Sequence, residues 1–578
     1  MNVTTRQRVQ WVLGINSAYH EPAACLINNG RLVAAVEEER FNRIRHGKPA
    51  DLTNPHQLPV QSIQFCLQKA GITGMDLGQI GYSFVPKARL AHNIGLDEDT
   101  TAGGAGTVEG EERFYNLLQM VPAELGRILG RDVSDHFQWI EHHLCHAASA
   151  FLVSPYENAA ILSIDGIGEA TSIWLGVGRG NRLTTLKEIK YPNSLGLVWT
   201  KMSRFLGFGE YGQWKVMALS GFGNPARFYK EFKSLISFDY NANVFVNNHQ
   251  FQFRVESCEG LEQVFGKRRK PGDDIDERQY DIAAALQQIT TEVLLALVNF
   301  LHRVTGCSNL CQAGGVALNC SANRVIVEDG PFESVFIQPA ANDAGTALGA
   351  CYYIWNHQLG RKRTEALSHV NLGPGFEDCS VGEMASLEDS NISRPNDLEE
   401  MVAKIIASGK VVAWFNGRME FGPRALGNRS FLADPRRPEM VQVLNTKIKN
   451  REFFRPFAAS VLAEEANRWF LLPRPSLSDA FMLCARRVRR EKLGEIPAVT
   501  HINDTCRIQK VKARSNPRFH GLIRKFAKLT GVPLVLNTSL NDREPIVCTP
   551  EDVIATCRRI GICHLVLNDE LVVFPSRN

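Results

Sequence analysis

Apolar and polar positions follow two rhythms along this chain, and the switches between them outline its elements. From Trp11 to Phe41 (WVLGINSAYHEPAACLINNGRLVAAVEEERF) apolar runs flank a polar turn at NSAYHE, and Asn-Asn-Gly marks a hairpin. The pattern predicts strand, turn, strand, hairpin, strand. PVQSIQFCLQKAGI then carries apolar residues at helical spacing and closes on Gly71, which predicts a helix. AAILSIDGIGEATSIWLGVG repeats the strand–turn–strand form. A further strand ends at LCQAGGVALNCSAN, and VFIQPAANDAGTALGACYYIW reads as strand, loop and helix. Gly95 to Glu111 is rich in Gly, Thr and Asp and reads as a mobile loop, and residues 238–274 lack a period and read as an insertion. The pattern breaks around VNLGPGFEDCSV and resumes with a helix in DLEEMVAKIIASG and a strand in KVVAWFNG. A boundary therefore falls between Gly373 and Asn396, giving domains of 1–375 and 376–578, each α/β.

Composition narrows the class. At 578 residues the chain has material for more than one core. Its 65 basic and 61 acidic residues leave a net charge of +4, too small a surplus to predict nucleic-acid binding. The basic run GKRRKPG (Gly266 to Gly272) reads as a solvated loop. No run of about 18 apolar residues is visible, so no membrane span is expected. The amino terminus lacks the apolar core of a secretion signal, so a cytoplasmic protein is expected, with its 14 cysteines reduced. Those in apolar settings, such as Cys25, Cys66, Cys351 and Cys563, read as buried.

The turns carry the candidate chemistry. Gly166 and Gly168 sit in a tight turn between strands, where backbone N–H groups can approach phosphate oxygens. Gly314 and Gly315, followed by Asn319, stand between a strand and a helix where a nucleotide could lie. Together with the first turn they give the order expected of the duplicated actin, sugar-kinase and heat-shock ATPase fold. In EHHLCHAASAF, His142 and His146 are four apart and share a helix face, whereas His143 points about 100° away, toward a supporting or core role. Such a pair is by itself more often structural than metallic. Asp165 at a strand end and Asp343 at a strand-to-helix turn are placed where α/β sheets bind ligands. Two imidazoles with two carboxylates suit Fe(II), Mn or Zn.

In the second half, NGRMEFGPRALGNRSFLADPR and NTKIKNREFFRPFAASV set Arg424, Lys449 and Arg455 among apolar neighbours, which fits a small phosphate-bearing ligand better than an RNA surface. AVTHINDTCRIQKV adds His501 and Arg507, and PLVLNTSLNDREPIV adds Asn537, Ser539 and Asn541 after a strand. Amide and hydroxyl groups there can hydrogen-bond a small polar ligand.

GINSAYHEPAA, EEERFNRIRHG, EHHLCHAASAF, DGIGEATS, QAGGVALN and NDAGTALGA resemble the O-carbamoyltransferase family that tailors antibiotics and nodulation factors. The resemblance spans nearly the whole chain. It implies a metal, iron or another divalent transition ion, at His142, His146, Asp165 and Asp343, and His20 as general base toward an acceptor hydroxyl. It further implies Lys215 near the nucleotide, and Arg424, Lys449, Arg455, Arg507, Asn537 and Ser539 around carbamoyl phosphate and ATP with Mg²⁺. The second domain is then similar to threonylcarbamoyl-adenylate synthase (YrdC-like), and makes a carbamoyl-adenylate that passes inward through a tunnel to the metal site. The resemblance also implies a small-molecule hydroxyl acceptor of the secondary-metabolite kind and allows a homodimer, while the acceptor's identity is not written in the sequence. Two departures stand out: Glu21 replaces the Asp that follows the first-turn histidine, and GQWKVMALSGFG replaces Glu-Gly-Lys before the Met-Gly-Leu-Ala run. The loop from Gly95, the segment YSFVPKARLAHN and the insertion are expected to shape the acceptor pocket. A tRNA-modifying enzyme, a sugar-type kinase and an ATP-driven binding protein are the competing readings.

Overall fold

In the computed structural model, which describes residues 11–96, 103–377, 387 and 389–575, two five-stranded sheets share one topology. The first runs Arg31–Glu37, Ala23–Asn28, Trp11–Asn16, Leu77–Tyr82, Phe137–Trp139. Its first three strands are antiparallel, and the last two join parallel to Trp11–Asn16. The second runs Arg182–Lys190, Thr171–Arg179, Asn158–Ile164, Asn309–Ala313, Ser334–Ile337, with the same pattern of antiparallel and parallel pairs. This is the duplicated α/β fold that the turns predict. The two hairpins supply the antiparallel edges, and helical crossovers supply the parallel strands.

Each sheet's fifth strand feeds a helix, His142–Phe151 in the first repeat and Ala344–Tyr352 in the second, and these two pack face to face. Small residues make the approach possible. A Cβ on Gly349 would stand 1.8 Å from the carbonyl oxygen of Cys145 on the facing helix. Gly349→Ala is therefore expected to force the helices apart and destabilise the protein by about 3 kcal/mol or more. Gly494→Ala, which meets nothing within 4 Å, is the control. Thermal melting of both variants checks this, and equal melting temperatures would sink it.

A nine-stranded sheet forms the carboxy-terminal part, in the order Asn391–Ser393, Glu570–Val573, His564–Leu567, Val412–Phe415, Arg429–Ala433, Leu534–Ser539, Ala458–Leu462, Thr505–Val511, Ala485–Arg487. Its own apolar core includes Trp414, Phe431, Ile508 and Phe526. Phe421, Leu426, Phe454 and Leu483 instead join the core of the second sheet, so the two parts share buried surface. EEERFNR makes the polar joint between them. Glu37 accepts the Gly422 N–H at 2.8 Å, Arg40 donates to the Gly422 carbonyl at 2.9 Å, and Arg43 donates to Pro545 and Ile546 carbonyls at 2.8 Å.

Several expectations change. The loop from Gly95 gives way to a helix, Val108–Gln119, whose Glu111 forms a buried pair with Arg89 at 2.7 Å; residues 97–102 lie outside the described residues, as do 378–386 and 388 of the boundary segment. The insertion holds a strand pair, Ile236–Phe238 with Val244–Val246, and helices Asn248–Phe251 and Glu259–Phe265. Helix Glu277–Thr305 is long and apolar enough to cross a membrane, but Ile282, Leu286, Ile289, Val293 and Leu297 on it are buried in the core. Cys563 is half-buried, whereas the other described cysteines are buried.

Candidate functional site

The duplication explains how four distant residues meet. His142 and His146 lie on the helix after the first sheet, Asp343 precedes the matching helix after the second, and Asp165 follows the second sheet's central strand. One donor atom from each falls within 4.8 Å of the others. His146 Nε2 is 3.0 Å from Asp165 Oδ2, 3.1 Å from His142 Nε2 and 3.8 Å from Asp343 Oδ1, and His142 Nε2 is 3.6 Å from Asp343 Oδ1. Both histidines are buried. His142 Nδ1 faces the Ser83 carbonyl at 3.3 Å, which turns Nε2 toward the centre as a metal ligand requires.

Electrostatics points the same way. Burial works to depress His142, yet Asp343 beside it lifts it to about 9. Burial works to raise Asp165, yet its hydrogen bond to His146 and the two imidazoles hold it below the usual carboxylate range. The carboxylates thus draw positive charge to this point, and the donors suit a divalent transition ion. His143 stays out of the set, with Nδ1 2.8 Å from Ser163 Oγ.

Glycines permit the close approach. The Gly166 and Gly315 N–H groups donate to Asp165 at 2.7 and 2.9 Å, and a Cβ on Gly168 would press on His142. Gly314 has φ +87°, and a Cβ there would meet the Ile164 carbonyl oxygen at 2.1 Å. Glu169 escaped sequence reading. It accepts the His142 N–H at 3.0 Å and so caps a helix whose own N-cap residue, Glu141, makes no side-chain cap. Burial lifts its carboxyl to about 7.

His20 stands over the cluster with Nδ1 3.9 Å from both Asp343 Oδ2 and Glu21 Oε2. Burial opposes its protonation, but these carboxylates raise it above the ordinary imidazole value. Glu21 also reaches His46, at 3.3 Å, and His46 stacks on Tyr211 with ring centroids 4.1 Å apart. The longer side chain at position 21 thus engages a second imidazole that the sequence did not single out.

The second constellation assembles around five cations. Arg424, Lys449, Arg451, Arg455 and Arg507 line one wall together with His501, Asn537, Ser539 and Asn541. Burial, helped by Arg507, pushes Arg424 down to about 9, and burial brings Arg455 to about 10. Lys449 is held well below its usual value by burial and by Arg451 and Arg455, and its ammonium donates to Ser539 Oγ at 3.1 Å and Asn541 Oδ1 at 2.8 Å. Burial takes His501 to about 4, so it is neutral. Half-buried guanidinium groups crowded on one wall form a pocket for an anion. Glu452, unread in a basic run, bridges Lys215 at 2.8 Å and Arg455 at 3.9 Å.

One cavity of about 910 Å³ joins the two constellations, lined by His20, Asp165, Gly166, Gly315, Asn319 and Asp343 at one end and by the cationic wall at the other. The described residues of the Gly95 loop, of YSFVPKARLAHN and of the insertion do not line it; Tyr211, Trp214, Phe222 and Arg45 do. The insertion packs away from the cavity, where Arg254 donates to Asn93 at 2.5 Å and Lys201 to the Gln252 carbonyl at 2.9 Å.

Two family models match the chain, one described as carbamoyltransferase N-terminus over residues 11–352 and one as carbamoyltransferase C-terminus over residues 403–573. An uncharacterised protein of Synechocystis sp. is 38% identical, with 96% of each chain covered. Nodulation protein NolNO of Sinorhizobium fredii is 34% identical over 96% of this chain and 79% of its own. Among solved structures, component A of the (R)-2-hydroxyglutaryl-CoA dehydratase of Acidaminococcus fermentans aligns with 60% of this chain and 98% of its own, at 16% identity and a TM-score of 0.33.

Proposed function

Because the chain belongs to the carbamoyltransferase family and is a carbamoyl-transferring enzyme, we propose that it makes carbamoyl-AMP from carbamoyl phosphate and ATP and transfers the carbamoyl group to a small-molecule hydroxyl. The observation that carries this reading is the single cavity bounded by a cationic wall at one end and the His₂Asp₂ cluster at the other. Adenylation needs the first, and an enclosed transfer needs both, because water would destroy a mixed anhydride released to solvent.

In this reading the carboxy-terminal part, which we take to be YrdC-like, holds carbamoyl phosphate through Arg424, Lys449, Arg455 and Arg507, with Asn537 and Ser539 at the carbamoyl end. Attack by water gives carbamate and inorganic phosphate. The carbamate oxygen attacks the α-phosphorus of ATP, and pyrophosphate leaves with Mg²⁺, its charge offset by the guanidinium groups. Lys215 and the turns at Gly166, Gly168, Gly314, Gly315 and Asn319 receive the nucleotide at the inner end. His20 takes the proton as the acceptor oxygen bonds to the carbamoyl carbon and AMP departs. A divalent ion held by His142, His146, Asp165 and Asp343 would supply positive charge for the adenylate phosphate.

The test is pyrophosphate release from ATP, with and without carbamoyl phosphate, and with no acceptor present. Release that requires carbamoyl phosphate is expected. ADP formation, or release indifferent to carbamoyl phosphate, would overturn the reading.

A further inference from the structure

Strand register gathers a polar relay on the cavity side of the nine-stranded sheet. Asn537 lies opposite Ala458, which pairs with Arg507, and two residues along Ser460 pairs with Gln509. Side chains two apart share a face, so Asn537, Ser460, Gln509, Arg507 and Ser539 project the same way. Ser460 and Gln509 lie within the second-half motifs but have no part in the chemistry above, and both are buried.

Their hydrogen bonds run in one direction. Gln509 Nε2 donates to the Leu426 carbonyl at 2.7 Å, in the loop that carries Arg424, which fixes Gln509 Oε1 as an inward acceptor. Ser460 Oγ donates to that oxygen at 2.6 Å. Asn537 Nδ2 donates to Ser460 Oγ at 2.9 Å, to Gln509 Oε1 at 3.3 Å and toward the Ala425 carbonyl at 3.4 Å. A flipped amide would set its oxygen against two oxygens that cannot donate, so the relay decides the orientation. Asn537 Oδ1 is left without a hydrogen-bond partner in a fully buried residue on the cavity wall. A buried acceptor of this kind calls for a donor from the ligand.

We propose that Asn537 Oδ1, locked by the Ser460–Gln509 relay, accepts from the NH₂ of the carbamoyl donor and so rejects acyl phosphates that carry a methyl group there. The inference rests on the adenylation reading and adds two positioning residues, Ser460 and Gln509, that set donor specificity. A site built around such a hydrogen bond discriminates strongly, because a ligand lacking the donor leaves the buried oxygen unpaired.

Acetyl phosphate is the probe, compared with carbamoyl phosphate in acceptor-free pyrophosphate release from ATP. The parent protein is expected to prefer carbamoyl phosphate in kcat/KM by on the order of 10⁴-fold. Gln509→Met frees the Asn537 amide to rotate and is expected to shrink that preference by about 10²-fold or more. Ser460→Ala, which removes one oxygen from a buried strand, tests the same relay should Gln509→Met fail to fold. A purely structural role would lower both substrates alike and leave the ratio intact, and that result overturns the proposal. Equal use of the two acyl phosphates by the parent overturns it alone, whereas release with neither removes the adenylation reading and this inference together.

Discussion

If the His₂Asp₂ cluster holds a divalent metal as proposed, alanine at His142 is expected to abolish metal retention and carbamoyl transfer, while carbamoyl-phosphate-dependent pyrophosphate release stays within about twofold of the parent. The separation follows from where the side chain sits. Its Nε2 is 3.1 Å from His146 Nε2 and 3.6 Å from Asp343 Oδ1, at the end of the cavity away from the cationic wall. Without it the site keeps two carboxylates and one imidazole, a poorer match to a transition ion. Transfer is expected to fall on the order of 10³-fold, the scale of losing one group that stabilises charge in a preorganised site. Elemental analysis after gel filtration, with Fe(II), Mn(II) and Zn(II) each offered, gives a readout independent of turnover. His143→Ala is the comparison, since its ring turns to Ser163 Oγ at 2.8 Å, and that variant should keep its metal. Equal loss of pyrophosphate release in His142→Ala would mean that the two ends of the cavity do not work separately.

How much of this was legible depended on whether the signal was local. His142 and His146 share a face because a helix turns every 3.6 residues, and Asp165 and Asp343 are marked by the strand-to-turn switches beside them. The repeated strand–turn–strand pattern announced the duplication, because alternation and hairpin turns are local events. Glu169, His46, Gln509 and Ser460 carried no such mark. Glu169 caps a helix from a turn elsewhere in the chain, and Gln509 acquires its meaning only from a sheet register that aligns it with Ser460. Glu452 was hidden by company, one carboxylate in a run dominated by arginines, and only the packing of the two parts brings Lys215 to it. The pocket-shaping segments misled for a related reason. A Gly-rich loop and an aperiodic insertion look adaptable in sequence, but Arg89 pairs with Glu111, Arg254 donates to Asn93 and Lys201 donates to the Gln252 carbonyl, none of which lines the cavity.

Arg455→Ala should remove adenylation itself, lowering carbamoyl-phosphate-dependent pyrophosphate release by about 10²–10³-fold. Its guanidinium stands among Arg424, Lys449, Arg451 and Arg507, where burial and mutual repulsion already work against charge. That arrangement is costly unless an anion relieves it, so each cation's contribution is concentrated in the liganded state. Removing Arg455 also strips Glu452 of a partner at 3.9 Å and leaves its carboxylate facing the pocket with Lys215 alone. An incoming triphosphate or acyl phosphate then meets one positive charge fewer and one negative charge less neutralised. Arg455→Lys separates charge from shape. It keeps the positive charge but loses the planar fork that matches two phosphate oxygens at once, and release should recover to within about tenfold of the parent. Metal content at the His₂Asp₂ cluster should be unchanged in both variants, because Arg455 makes no contact there. Full activity in Arg455→Ala would place phosphate capture elsewhere and detach the cationic wall from the chemistry assigned to it.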